Sequence, residues 1–173
     1  MGDCVRGGGT IVRMTDTEAQ LFKDLLQHQP VAALATVHRG APAVSMVPFA
    51  LRPDASGLLI HVSALATHTQ DMRRKPEVSL LIMGALQHAD MPLALPRVSV
   101  SGRARALARD SEDYTAARDT YLRKLPDAEP LFDFADFSLF VIEPTRARFV
   151  AGFGRALSLT AQGWRKVWRS PAQ

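Results

Sequence analysis

The sequence has little cysteine and no long apolar run. Cys4 is the single cysteine among 173 residues, so no intrachain disulfide can form, and a reducing cytoplasm is the expected setting. The longest apolar candidate, residues 78–86, contains Ser79 and Gly84 and is shorter than the roughly 18 residues that cross a bilayer. Residues 1–13 lack the apolar segment of a signal peptide. We therefore expect a cytoplasmic protein that does not span a membrane.

Motifs for metal binding and nucleophilic catalysis are also missing. The five histidines form neither an HExxH motif nor a close group with the cysteine, so no metal site is expected. There is no GxSxG motif, which disfavours acyl transfer. Residues 152–156 are rich in glycine, but Leu157 follows where the dinucleotide fingerprint needs Gly or Ala. The sequence therefore predicts no Rossmann loop.

Acidic residues are absent from the C-terminal segment. Residues 1–143 contain 15 basic and 17 acidic side chains, whereas residues 144–173 contain six basic and no acidic ones. The net charge of +4 therefore originates in this segment. Its basic residues are Arg146, Arg148, Arg155, Arg165, Lys166 and Arg169. Basic and aromatic residues alternate near its end, as in some nucleic-acid and membrane-surface proteins. We expect instead that Trp164 and Trp168 pack onto the domain, with no nucleic-acid or membrane partner.

Apolar periodicity and turn residues predict a mainly β fold. Thr15 and Glu18 match a capping box before a helix over residues 16–28, and a second long helix is expected to start at Asp110. Short apolar segments bounded by turns predict six to eight strands, a pattern typical of a small β-barrel. The first three strands are expected to form an antiparallel meander. The predicted strands cover residues 31–37, 43–51, 58–63, 78–83, 97–107, 138–143, 145–151 and 156–159.

Two local features are candidates for binding a ligand. The first is a strand that leads into a helix, where Ser63, Thr67, His68 and Thr69 could hold a phosphate at the helix N-terminus. The alternative there is simple N-capping by Thr67 or Thr69. The second is the turn at residues 152–155, whose glycines allow close approach of a ligand. The alternative for that turn is a tight hairpin.

Four ordered segments resemble the FMN-binding split-barrel proteins, the superfamily that includes pyridoxamine 5′-phosphate oxidase. Within it, the chain is most similar to the heme-utilisation and heme-degrading branch. The segments lie within residues 17–160 and read VAALATVHRGAPAVSMVPFAL, HVSALATHTQDMRRKPEVSLLI, PRVSVSGRARAL and DFADFSLFVIEPTRARFVAGFGRA. The resemblance implies an α+β fold, an antiparallel six-stranded split β-barrel with flanking helices. It also implies an FMN-binding split-barrel domain at residues 14–163. The Gly triplet predicts a flexible lead at residues 1–13, and the basic residues after the domain predict a basic tail at 164–173.

The resemblance also implies a cofactor site at the interface of a homodimer. The flavin would lie along Ser45, Met46, Val47 and Pro48. Its ribityl chain and phosphate would contact Ser63, Ala64, Ala66, Thr67, His68, Thr69 and Gln70. Arg97, Phe153, Gly154 and Arg155 would approach from the partner subunit. The oxidases carry Ser-Arg-Lys at the start of the phosphate-binding helix, and the matching positions here are Ala66, Thr67 and His68.

Two functions follow from this resemblance. The leading hypothesis is an FMN-dependent oxidoreductase acting on a small molecule, with Arg155 as the candidate catalytic residue that offsets charge on the reduced flavin or on an anionic substrate. The alternative is a heme-binding or heme-degrading protein. In the heme branch an aspartate supports a C-terminal histidine ligand of the iron. Asp136 is a candidate for that aspartate, but residues 157–173 contain no histidine.

Overall fold

A computed structural model describes residues 14–85 and 91–169. Within these ranges lie four α-helices and eight β-strands. In chain order they are α1 (Asp16–His28), β1 (Val31–His38), β2 (Ala41–Pro48), β3 (Ala50–Leu51), β4 (Leu58–Ser63), α2 (Thr67–Arg74), β5 (Glu77–Met83), β6 (Arg97–Ala106), α3 (Glu112–Lys124), β7 (Phe137–Gly152), β8 (Arg155–Thr160) and α4 (Ala161–Arg169), with 3-10 helices at Pro92–Ala94 and Pro126–Asp133. The predicted lead at residues 1–13, and residues 170–173 of the predicted tail, lie outside the described residues.

The first helix begins at the predicted capping box. Thr15 Oγ1 accepts a hydrogen bond from the Glu18 N–H at 3.2 Å, and Glu18 Oε2 accepts one from the Thr15 N–H at 2.9 Å. The apolar stripe of α1 includes Phe22, Leu25 and Leu26, which are all buried in the barrel core. Local sequence therefore determines both where α1 starts and which face it buries.

The strands form one antiparallel sheet whose two end strands are adjacent in sequence but not paired. Its order is β2-β1-β5-β6-β7-β4-β3, and β8 pairs with the far part of β7. The two ends of this order, β2 and β3, are separated in sequence by Phe49 alone. Phe49 is fully buried, and its N–H donates to the Pro30 carbonyl at 3.1 Å. The predicted class, an antiparallel split β-barrel with flanking helices, is confirmed.

The predicted meander of the first three strands is wrong. β2 pairs with β1, whereas β4 pairs with β7 along its whole length and with the two-residue β3. The predicted second strand breaks at Phe49, where the chain crosses from one end of the sheet order to the other. Alternating apolar residues indicate which face of a strand is buried, but they do not identify its neighbour.

The predicted break at Pro144 is also absent, because β7 continues through it. Ser101 pairs with Arg146 and Gly102 pairs with Pro144, so Thr145 is an extra residue in β7. Such a β-bulge interrupts the hydrogen-bond ladder and tolerates a proline that has no N–H to donate.

The C-terminal helix packs into the domain. Trp164 is buried, its ring lies 5.3 Å from that of Phe22, and its Nε1–H donates to the Ala55 carbonyl at 2.7 Å. Helix α4 crosses the predicted boundary at residues 163 and 164, so the tail as far as Arg169 is a continuation of the domain. No helix in the described ranges is long and apolar enough to cross a membrane.

Candidate functional site

The turn between β4 and α2 is held by Asp136, the residue directly before β7. Ser63 Oγ donates to Asp136 Oδ2 at 2.6 Å and accepts from the Leu65 N–H at 3.1 Å. The Ala64 N–H donates to the backbone carbonyl of Asp136 at 2.6 Å. Because both the side chain and the backbone of Asp136 contact the turn, this aspartate fixes the path of the chain into α2.

The N-terminus of α2 has no side-chain cap. Ala66 occupies the N-cap position, and the alternative of capping by Thr67 or Thr69 is wrong. Thr69 Oγ1 is buried without a hydrogen-bond partner among the described residues, while Thr67 and Gln70 are exposed. The first turn contains no acidic residue. The partial positive charge of this helix end is therefore not neutralised by a neighbouring carboxylate of its own first turn.

Ser45 and His68, two predicted site residues, meet in the structure. Ser45 lies on β2 and His68 in the first turn of α2, and His68 Nδ1 is 3.2 Å from Ser45 Oγ. Burial lowers the pKa of His68, and the nearby Asp71 opposes this effect only partly. The imidazole is therefore neutral at pH 7. Its Nε2 has no partner among the described residues, which leaves a lone pair or an N–H available to a ligand.

The other predicted residues of β2 lie on two faces. Val47 is 1% exposed and belongs to the barrel core, so only its backbone could face a ligand. Met46 is 66% exposed and points outward, as does Pro48. Within one chain, β2 therefore contributes the Ser45 side chain to the site at α2, while Met46 and Pro48 face away from the core.

Arg155 is already paired within its own chain. Its guanidinium donates twice to the Glu18 carboxylate, with Nε–Oε1 at 2.5 Å and Nη2–Oε2 at 3.1 Å. The hydrogen bond from Arg155 is the largest cause that lowers the pKa of Glu18 to about 2. Phe153 is 73% exposed beside Gly154, whose positive φ of 74° suits the tip of the β7–β8 hairpin. The candidate catalytic charge is thus compensated by an acid of α1.

The predicted site residues fall into two groups at opposite ends of β7. At its start, Phe137 pairs with Ser63 of the α2 group. At its end lie the β7–β8 hairpin and Arg97, which pairs with Val150 and donates to the Leu95 carbonyl at 2.9 Å. The 16 residues of β7 correspond to a contour of roughly 50 Å at about 3.3 Å per residue. The two groups are therefore far apart along β7.

Sequence reasoning missed Asp71, a buried carboxylate on the inner face of α2. Asp71 is 1% exposed and accepts hydrogen bonds from Thr36 Oγ1 at 3.0 Å and from His38 Nδ1 at 2.9 Å. Burial alone raises the pKa of Asp71, but the bonds from His38 and Thr36 outweigh it, so the pKa is lowered. The sequence offers no local signal for this contact, because its partners lie more than 30 positions away on β1.

Two curated proteins that are similar to this chain are named as heme oxygenases. Over 119 residues the chain is 38% identical to the non-canonical heme oxygenase HOZ, chloroplastic, of Arabidopsis thaliana, a match that covers 69% of this chain and 35% of that protein. It is 28% identical to heme oxygenase HutZ of Vibrio cholerae over 80% of this chain and 79% of that protein.

A solved structure shows the same fold. The heme binding protein from Mycobacterium smegmatis superposes with a TM-score of 0.78 at 29% identity, over 90% of this chain and 62% of that one. The chain therefore spans about a third of the plant relative and less than two thirds of the mycobacterial one. Residues 19–151 match the family described as pyridoxamine 5′-phosphate oxidase. Since this match covers most of the chain, the protein belongs to the pyridoxamine 5′-phosphate oxidase family of split-barrel proteins.

Proposed function

We propose that this protein binds heme and takes part in heme degradation, the alternative of the two functions that the sequence suggested. The relatives described above are named as heme oxygenases or heme binding proteins. One observation of this structure carries the proposal: the neutral His68 imidazole is oriented by Ser45 and has Nε2 available. We therefore assign the role of iron ligand to His68.

The surroundings of His68 suit a metal-ligating histidine. Such a residue must be neutral at the ligating nitrogen, and its other ring nitrogen is usually held by a hydrogen bond that fixes the tautomer. Ligation through Nε2 requires the tautomer in which the Nδ1–H of His68 donates to Ser45 Oγ, and the distance of 3.2 Å between Nδ1 and Oγ allows this hydrogen bond. Asp136 holds the turn that leads into α2 through Ser63, so it positions His68 without touching it. Bound heme would supply a redox-active iron at this point.

FMN-dependent oxidation of a small molecule is the second candidate. The uncapped N-terminus of α2 favours it, because unpaired N–H groups and a helix dipole attract phosphate. Against it, the helix start carries no fixed cation: the basic residues of α2, Arg73 and Arg74, are in its last turn, and the pKa of His68 is lowered. The positions matching Ser-Arg-Lys thus provide backbone N–H groups and uncharged side chains but no fixed cation, so we expect them to bind a flavin phosphate less tightly than the matching positions of the oxidases do.

Titration with hemin tests the proposal. We expect a shift of the heme absorption band at stoichiometric protein, and a rise in the hemin Kd of at least about tenfold for His68→Ala. His28→Ala is the matched control, because His28 lies on α1 with 74% of its side chain exposed, and it should bind as the original protein does. A heme absorption band that does not shift when protein is added, or binding of FMN but not of hemin, contradicts the function. Equal binding by both variants contradicts His68 as the ligand.

We also propose that two copies of the chain form the complete site. The outward residues Val44 and Met46 of β2 are 72% and 66% exposed. Met46 lies in one cross-strand row with Ala33 of β1 and Leu81 of β5, which extends the apolar surface across three strands. A surface of this kind usually marks a contact with another protein. A second copy on this face would bring its own Arg97 and β7–β8 hairpin to the His68 of the first copy.

Charge on this face should separate the subunits. We expect the Met46→Lys variant to have the mass of one chain by light scattering, where the original protein has the mass of two, because a lysine cannot be desolvated without a partner. Leu131→Lys, at an exposed leucine of the 3-10 helix before β7, is the control and should stay dimeric. A monomeric original protein, or a dimeric Met46→Lys variant, would contradict the proposed interface.

A further inference from the structure

A second cleft lies away from the His68 site. It has a volume of about 710 Å³ and is bordered by α1, by the chain at β3 and just beyond it, by α3 and by the end of α4. None of the predicted site residues lines it. Its size falls in the range of pockets that hold small molecules. The cleft is therefore a separate place where this chain could bind a ligand.

The cleft is lined by positive charge. Five of its lining residues are cationic, and none of the described residues that line it carries a carboxylate. The cations come from four separate parts of the fold. They are Lys23, Arg52, Arg123, Lys124 and Arg169. Like charges repel, and salt screens this repulsion poorly when the charges are partly enclosed. An anion bound among the five cations would therefore lower their electrostatic energy.

Two of these cations are available to bind an anion, and a third is paired with a carboxylate. Arg52 is paired with Asp113, with Nη2–Oδ1 at 2.7 Å. Arg123 and Arg169 have no hydrogen-bond or ion-pair partner among the described residues. Both are arginines, whose planar guanidinium binds a phosphate or carboxylate through two parallel hydrogen bonds. These two side chains, on α3 and α4, are the ones best placed to grip an anion.

Lys124 fixes one wall of the cleft. Its Nζ donates to the Gln29 carbonyl at 2.7 Å, beyond the last residue of α1, and lies 4.0 Å above the centre of the Phe49 ring. Burial lowers the pKa of Lys124 to about 8, so the group is still mostly charged at pH 7. Lys124 thereby ties α3 to the end of α1 and keeps a positive charge at the wall. The cleft is thus preformed.

We propose that this cleft binds a small multivalent anion, a molecule with two or more phosphate or carboxylate groups. The apolar part of its wall includes Leu51, Pro53 and Trp168, which suits a ligand with an organic body as well as charged groups. The proposal also explains part of the unbalanced C-terminal charge, because α4 carries Arg169 to the cleft. A concave site of this volume suits a small molecule better than a nucleic-acid backbone, which follows an extended basic groove.

Calorimetric titration of the full chain with inorganic tripolyphosphate, and separately with citrate, tests the proposal. At low ionic strength and pH 7 we expect saturable binding of one probe or both at one site per chain. Arg123→Ala and Arg169→Ala should each raise the Kd about tenfold. Arg165→Ala is the matched control: Arg165 is exposed on the same helix as Arg169 but does not line the cleft, so its removal should change the Kd by less than about twofold.

The outcomes separate the possible ligands and the two sites. Binding of tripolyphosphate alone identifies a phosphate compound, and binding of citrate alone identifies a carboxylate compound. Protein saturated with hemin should bind the probe equally well, because the cleft and the His68 site share no residue. The proposal is overturned if neither probe binds, or if Arg165→Ala weakens binding as much as Arg169→Ala. It is also overturned if an oligonucleotide displaces the probe and if the binding of that oligonucleotide depends equally on Arg123, Arg165 and Arg169.

Discussion

Replacing Gly102 with alanine should destabilise the protein by about 3 kcal/mol. A Cβ atom at this position would lie 2.6 Å from the backbone oxygen of Glu143 and 2.9 Å from Cγ2 of Ile142. The oxygen belongs to Glu143 of β7, which pairs with Arg103 of β6 and directly follows Ile142, a residue paired with β4, so it cannot move without disturbing the sheet. The cost therefore comes from steric overlap at the bulge, where β6 passes close to β7. Urea unfolding measures the change in the free energy of unfolding.

Gly163→Ala is the matched control. Gly163 lies in helix α4, and the nearest atom to its added Cβ would be 3.6 Å away, an ordinary van der Waals distance. Alanine is favoured over glycine inside a helix by roughly 0.5–1 kcal/mol, so this variant should be slightly more stable than the original protein. If Gly102→Ala lowered the free energy of unfolding by less than Gly163→Ala raised it, the close approach of β6 and β7 would be contradicted.

The bulge at Gly102 shows what the sequence could not reveal. Apolar or small residues alternate with polar ones over residues 97–105, and this period of two matches the buried face of β6. The same pattern holds no information about Thr145, the extra residue in the opposing strand, which is visible only once the register of β6 and β7 is known. A proline in β7 was therefore interpreted as a break between strands, although a bulge accommodates it.

The same distinction applies to the candidate site. The capping box of α1 could be predicted because Thr15 and Glu18 are three positions apart and interact within one helical turn. Arg155 was expected to face a ligand, yet it binds Glu18, which is 137 positions away. The family resemblance implies that Ser45 and His68 line one cofactor site, but neither it nor any local pattern predicts the contact between their side chains. Contacts between distant segments depend on the sheet order, which residue spacing does not encode.

Acid should destabilise this protein through His61. The His61 side chain is 5% exposed, and neither ring nitrogen has a hydrogen-bond partner among the described residues. Its ring stacks on that of Phe132 with centroids 3.8 Å apart. Burial, and to a smaller extent the charge of Arg109, lowers the pKa of His61 to about 4. Protonating this ring inside an apolar cluster would place a charge where nothing solvates it.

The sign and the pH window follow from the two pKa values of His61. In the unfolded chain the imidazole takes up a proton near pH 6.5, whereas in the folded protein it does so near pH 4. Between these values the unfolded state binds more protons, so the free energy of unfolding falls as the pH is lowered. The total loss is on the order of 3 kcal/mol, complete below about pH 4.

Substitution of His61 by leucine should remove this dependence. Leucine has no group to protonate and leaves no buried nitrogen unsatisfied, so the variant should be more stable than the original protein at pH 4.5 and lose less stability between pH 6.5 and 4. The lowered pKa values of Glu18 and Asp71 affect the free energy of unfolding at lower pH. The lowered pKa of His68 contributes equally in both proteins. The difference between the two profiles of unfolding free energy against pH therefore isolates His61. His28→Ala, at an exposed histidine, should keep the original slope. Parallel profiles for the original protein and His61→Leu would mean that the folded protein tolerates the imidazolium, and that this cluster is open to water.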